Sequence, residues 1–155
     1  GGGTLRDLLL RQTPFWMVTP VYLICTGLAV LWVAAFGKKL IRQNNTWFLF
    51  DTIGLAVFTV SGMEKTFDLG FPWWMGTMTG AAGGIFRDVF INVEPLIFRK
   101  EIYASACLVG GGAYMFCDLM GCDHIISGIV CGLTVIVVRL LAVKYKLSLP
   151  HLRGE

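Results

Sequence analysis

The chain has 155 residues, 55% of them hydrophobic and only 15% charged, with a formal net charge of +3. Ordinary soluble domains carry about 25% charged residues, and a soluble helical chain of this length needs polar helix faces, so the composition argues against a water-soluble globule. The modest charge, with no basic stretch interleaved with exposed aromatics, gives no sign of a nucleic-acid partner.

A membrane span needs about 20 mostly apolar residues. In chain order, a half-span precedes Val18, and five candidate spans follow: Val18–Gly37, Trp47–Phe67, Phe71–Phe90, Ile102–Asp118 and His124–Val143. The first is free of charge and the third is rich in glycine. Nothing resembles a cleaved signal peptide, which joins a basic segment, an apolar run and small residues. The five cysteines, Cys25, Cys107, Cys117, Cys122 and Cys131, show no CxxC spacing, so neither a metal nor a cofactor is expected. Cys117 and Cys122 flank a short loop and form a disulfide only if that loop faces an oxidising compartment; spacing alone does not decide it. No phosphate-binding GxxxxGKS/T, no HExxH and no GxSxG is present, and no enzyme is expected.

With loops alternating sides, one side receives Lys38, Lys39, Arg42, Arg99, Lys100, Lys144, Lys146 and Arg153. The other receives Arg11 and Lys65 with Asp68, Asp118 and Asp123. Lys and Arg in short loops mark the cytoplasmic side, so the C-terminus is expected in the cytoplasm. Trp47, Trp73 and Trp74 fall at span ends, where indoles favour the interface, and Arg139 is placed to snorkel towards the inner surface. Glu64 and Lys65, at the outer end of their helix, are expected to be solvated, as is the acidic turn of Asp118, Asp123 and His124. His124 and His151 sit in loops at opposite ends of the last span.

The most informative feature is a repeat. Gly2-Gly3-x-x-Arg6-Asp7 returns as Gly83-Gly84-x-x-Arg87-Asp88, and the same offset matches Pro14 with Pro95 and Tyr22 with Tyr103. A repeat of three spans inverts automatically, because three is odd, so the copies are expected to run antiparallel. In inverted-repeat transporters, glycine-broken helices at matching positions mark the binding site. The second copy is complete, whereas the first lacks its opening helix and half of its second. Roughly 40 to 50 residues are therefore expected to precede Gly1, at about 20 per span plus a loop. The segments are then 1–37, the later part of the first repeat; 38–46, a cytoplasmic loop; 47–120, the second repeat; and 121–155, a final span and tail.

The residues that carry a family resemblance are Gly1 to Asp7, then Asp51 to Phe58 with Ser61-Gly62, then Gly80 to Asp88, Pro95 to Ala104, and Arg139 to Ala142. In these the chain resembles the bacterial glycine transporter family, which is related to the trimeric intracellular cation channels. The resemblance covers almost the whole chain. Ala82 departs from it, standing where the first copy has Gly1 and the family usually has a third glycine. The resemblance implies an all-α membrane protein, two three-helix repeats plus a seventh helix, a bacterial inner-membrane location and a homotrimer. It also implies glycine as solute, or a monovalent cation if the chain is a channel.

The candidate pathway residues are Gly2, Gly3, Arg6, Asp7, Asp51, Gly83, Gly84, Arg87 and Asp88. Gly76, Gly80 and Gly84 share one helix face and suit close packing. Gly83-Gly84 is expected to interrupt or bend its helix, as Gly pairs do, and to bring backbone to a ligand. Adjacent helical residues point about 100° apart, so Arg87 is not expected to pair with Asp88. Asp51 matches Arg87 in depth and is the expected partner. The favoured function is a transporter of a small solute such as glycine; the alternative is a cation channel.

Overall fold

The computed structural model describes residues 1–40, 44–92 and 102–145. Pro95, Arg42, Arg99, Lys100, Lys146, His151 and Arg153 lie outside the described residues, as do the side chains of Lys38, Lys39 and Trp47. Seven α-helices and no strands occur among the described residues: α1 (Gly2–Leu9), α2 (Phe15–Val18), α3 (Val21–Leu40), α4 (Asn44–Asp68), α5 (Trp73–Phe90), α6 (Ala104–Leu119) and α7 (His124–Lys144).

Prolines and left-handed residues punctuate the chain. Pro14 and Pro72 stand immediately before α2 and α5, where a missing N–H costs nothing. Pro20 directly precedes α3, so that helix starts at Val21 rather than at the expected Val18. Gly70 and Gly121 adopt φ of +70° and +76° after α4 and α6, the left-handed conformation that closes a helix C-terminus.

α4, α5, α6 and α7 form the bundle, and α1 lies along α5. Two buried clusters hold it together. Leu55, Ala56, Ala81, Tyr103, Cys107 and Val135 form one; Met63, Tyr114 and Cys131 form the other. Outside them the surface is apolar: Ile125, Ile129, Leu133 and Val137 of α7 are exposed, as are Leu23, Leu28, Leu31, Trp32 and Phe36 of α3. So much outward Leu, Ile and Trp is unlike a water-facing surface and suits lipid tails. Three hydroxyls bond their own helix: Thr59 donates to the Leu55 carbonyl, Thr66 to Gly62 and Thr134 to Val130, which satisfies each of these donors without water.

α5 corrects one expectation. It runs as an uninterrupted α-helix from Trp73 to Phe90, through Gly83 and Gly84. The glycines serve close approach instead. A Cβ on Gly84 would overlap the Tyr103 hydroxyl and ring, and one on Gly2 would overlap the Thr79 carbonyl and the Gly83 amide. α1 therefore crosses α5 backbone to backbone, with one glycine motif resting on the other. Gly76 and Gly80 do pack as expected: Cβ atoms there would strike the α4 backbone at Gly62 and Met63, and the Thr59 hydroxyl.

Candidate functional site

α1 and α5 end in the same way. Leu9 and Phe90 are their last helical residues, and Arg11 and Asn92 beyond them share φ of 55°. All these positions correspond at the offset that relates the two glycine motifs. The repeated letters thus encode a repeated backbone.

Each motif folds its arginine onto the neighbouring aspartate. Arg6 Nε donates to Asp7 Oδ1 at 2.9 Å and Arg87 Nε to Asp88 Oδ1 at 2.8 Å, each joined by Nη2 at 2.8 Å. The expectation that adjacent Arg and Asp do not pair is overturned. The 100° separation constrains the Cβ directions, but a guanidinium on a long stem folds back past it and presents its fork.

Around the first motif, Asp7 is fully buried. It accepts Lys65 Nζ at 2.9 Å on Oδ1 and the Phe15 amide at 3.0 Å on Oδ2. Arg6 Nη1 also donates to the Ser61 carbonyl at 3.3 Å. Lys65, expected in solvent, thus ties α4 to α1; Glu64 beside it is exposed as expected. Asp7 also holds the start of α2 through that amide.

Around the second motif, Arg87 Nη1 donates to Asp51 Oδ1, the expected pair. Asp51 gains two further partners. Arg139 Nη2 reaches Oδ2 at 3.1 Å and the Tyr103 hydroxyl lies 3.4 Å from Oδ1. Arg139 does not snorkel: it is 1% exposed, with its guanidinium 4.8 Å from the Tyr103 ring centre and 5.3 Å from that of Phe48. Carboxylate and rings hold the charge inside the bundle, a cation–π arrangement favoured when desolvated. Arg87, by contrast, is 41% exposed.

Between the two charge clusters lies a cavity of about 700 Å³. Gly2, Gly3, Arg6, Asp51, Gly83, Gly84 and Arg87 line it, seven of the nine candidate residues. Asp7 and Asp88 stand behind, each holding an arginine that lines it. Sequence reasoning missed Lys65, Tyr103, Ser61 and Thr79 on the wall, with Phe15, Tyr22, Phe50 and Phe58 as its aromatic part. Lys65 and Arg139 carried the general signal of ionisable groups in or beside apolar spans, and Tyr103 was half of the Tyr22–Tyr103 repeat pair. Asp51 and Lys65, on one helix, stand roughly 20 Å apart along its axis, so the cavity extends over much of a bilayer core of about 30 Å.

Among the described residues no group of three or more His, Cys, Asp or Glu side chains is placed to hold a metal. All five cysteines are free thiols.

An all-helical bundle, apolar outside and charged around an internal cavity, defines a polytopic integral membrane protein. The chain belongs to the glycine transporter family, whose model matches residues 1–38 and 48–118. It is 35% identical to a UPF0126 membrane protein of Vibrio cholerae, over 97% of this chain and 65% of that one. It is 34% identical to the UPF0126 inner membrane protein YadS of Escherichia coli, over 97% of this chain and 76% of that one. The chain thus spans about two thirds of the first relative's length and about three quarters of the second's. Among solved structures it is similar to a TRIC cation channel, with a TM-score of 0.89 and 29% identity over 100% of this chain and 79% of the other. It is also similar to the trimeric intracellular cation channel orthologue of Rhodobacter sphaeroides, with a TM-score of 0.83 and 34% identity over 95% of this chain and 78% of the other.

Proposed function

We propose that the chain forms the translocation pathway of a membrane transporter for a small zwitterionic solute, with glycine the solute named by its family. The observation that carries this reading is the cavity joining both glycine motifs, walled by fixed charges of both signs. In the linked ion pairs, Arg6, Lys65, Arg87 and Arg139 face Asp7, Asp51 and Asp88. The charged side chains that line the cavity, Arg6, Asp51, Lys65 and Arg87, offer partners to both the carboxylate and the ammonium of a zwitterion. Gly2, Gly3, Gly83 and Gly84 supply wall without side-chain bulk; Arg6, Asp51 and Arg87 supply the charges; Asp7 and Asp88 position the arginines.

In this reading residues 1–37 and 47–120 are the two halves of an antiparallel repeat, 38–46 links them in the cytoplasm and 121–155 is the final helix with a cytoplasmic tail. The protein resides in the inner membrane and assembles as a trimer, the form named for the Rhodobacter sphaeroides relative.

The second reading, a monovalent cation channel, is favoured by the TM-score of 0.89 to a TRIC cation channel. Reconstitution of the full-length protein separates the two. Labelled glycine should accumulate in liposomes with saturable kinetics, and Arg87→Gln should abolish the uptake. Single-channel potassium currents without glycine uptake would overturn the transporter reading and establish the channel.

A further inference from the structure

The turn that ends α6 carries a cysteine on either side of its left-handed glycine. The Cys122 amide donates to the Cys117 carbonyl at 3.1 Å and the Gly121 amide to the Asp118 carbonyl at 2.9 Å, while Gly121 holds φ at +76°. These bonds and that dihedral make a Schellman motif, in which the side chains of the third-last helical residue and of the residue after the left-handed one are frequently in contact. Those two positions are Cys117 and Cys122. The Cα atom lies about 2.4 Å from its own carbonyl oxygen and about 1.5 Å from its amide nitrogen. A hydrogen bond of 3.1 Å therefore limits the Cα–Cα separation to about 7 Å at most, and disulfides span about 4.4–6.8 Å. The same turn ends α1 and α4, but there the two positions hold Asp7 with Gln12 and Thr66 with Phe71. Both cysteines of the α6 turn are half-buried, within reach of a small reagent, whereas Cys107 and Cys131 are buried in the bundle core.

We propose that Cys117 and Cys122 form a redox-active pair that closes to a disulfide on the extracytoplasmic face, stapling the α6–α7 turn. The location rests on the proposed orientation. The oxidant is a disulfide carrier of the thiol–disulfide oxidoreductase class. One cysteine, as thiolate, attacks a carrier sulfur to give a mixed disulfide. The second then displaces the carrier. The Cys117–Cys122 bond forms, the carrier's disulfide is reduced to two thiols, and both protons leave with the thiols or to solvent.

The test uses the full-length wild-type protein expressed in a bacterium, with cells quenched in acid. Free thiols are alkylated with a light reagent, the sample is reduced, and new thiols take a heavy one. Peptide mass spectrometry should find Cys117 and Cys122 heavy, and Cys117→Ser should turn Cys122 light. In a second arm, purified protein in detergent is incubated with oxidised glutathione. Light label on both residues in cells, persisting after glutathione, would overturn the pairing itself. Closure in detergent but not in cells would overturn the extracytoplasmic disulfide. A reporter fused in the turn then shows whether the orientation or the supply of oxidant failed.

Discussion

Asp51 answers to two guanidiniums of unequal exposure. Arg139 is buried and Arg87 is 41% exposed, so the two bonds differ in what their loss leaves behind. Asp51→Asn takes the carboxylate charge from the buried Arg139 as well as from Arg87, and removing one charge of a buried pair costs about 3–5 kcal/mol. Arg87→Gln leaves Asp51 still held by Arg139 and Tyr103, and a half-exposed pair contributes about 1 kcal/mol or less. Thermal unfolding in detergent should therefore show a large drop for Asp51→Asn and a small one for Arg87→Gln. Equal losses for the two single variants would remove Arg139 from the account. The Asp51–Arg87 pair was legible in the sequence because two ionisable groups at one depth of neighbouring spans need each other. The Asp51–Arg139 bond was not, because it joins residues of α4 and α7 that no local pattern relates.

At the scale of helices, glycine has two opposite uses in this bundle. Gly84 on α5 touches the Tyr103 ring, while Gly54 on α4 faces the cavity with nothing within 4 Å of an added Cβ. Gly84→Ala should push Tyr103 away from Asp51 and cost about 1–3 kcal/mol, as overpacking does. Gly54→Ala should stabilise, since Gly inside a helix is about 0.5–1 kcal/mol less favourable than Ala. Opposite shifts in melting temperature would confirm the assignments; a stabilised Gly84→Ala would place Tyr103 elsewhere. The two motifs were legible because each copy dictates its own backbone, down to the left-handed residues Arg11 and Asn92. The continuity of α5 was not, because a glycine pair serves equally to break a helix and to let another cross it. Only the neighbour decides, and α1 comes from far along the chain.

For the whole molecule, the two charge clusters sit at different depths of one cavity. Asp51 and Lys65 mark them on α4, and α7 runs from the His124 turn to Lys144. Which cluster faces the cytoplasm depends on a single sign, the sidedness of the chain. Lys144 closes α7 beyond Arg139, on the side of the Asp51 cluster, whereas Lys65 on the opposite side is paired with Asp7. Positive charge in short loops resists translocation, so the Asp51–Arg87–Arg139 cluster should face inwards and the Asp7–Lys65 cluster outwards. A reporter active only in the cytoplasm, fused after Glu155 of the full-length protein, should be active, and one active only in the periplasm should be silent. The reverse result would turn every element over. The Cys117–Cys122 turn would then lie in the reducing cytoplasm, and the Asp51 cluster would meet solute arriving from outside.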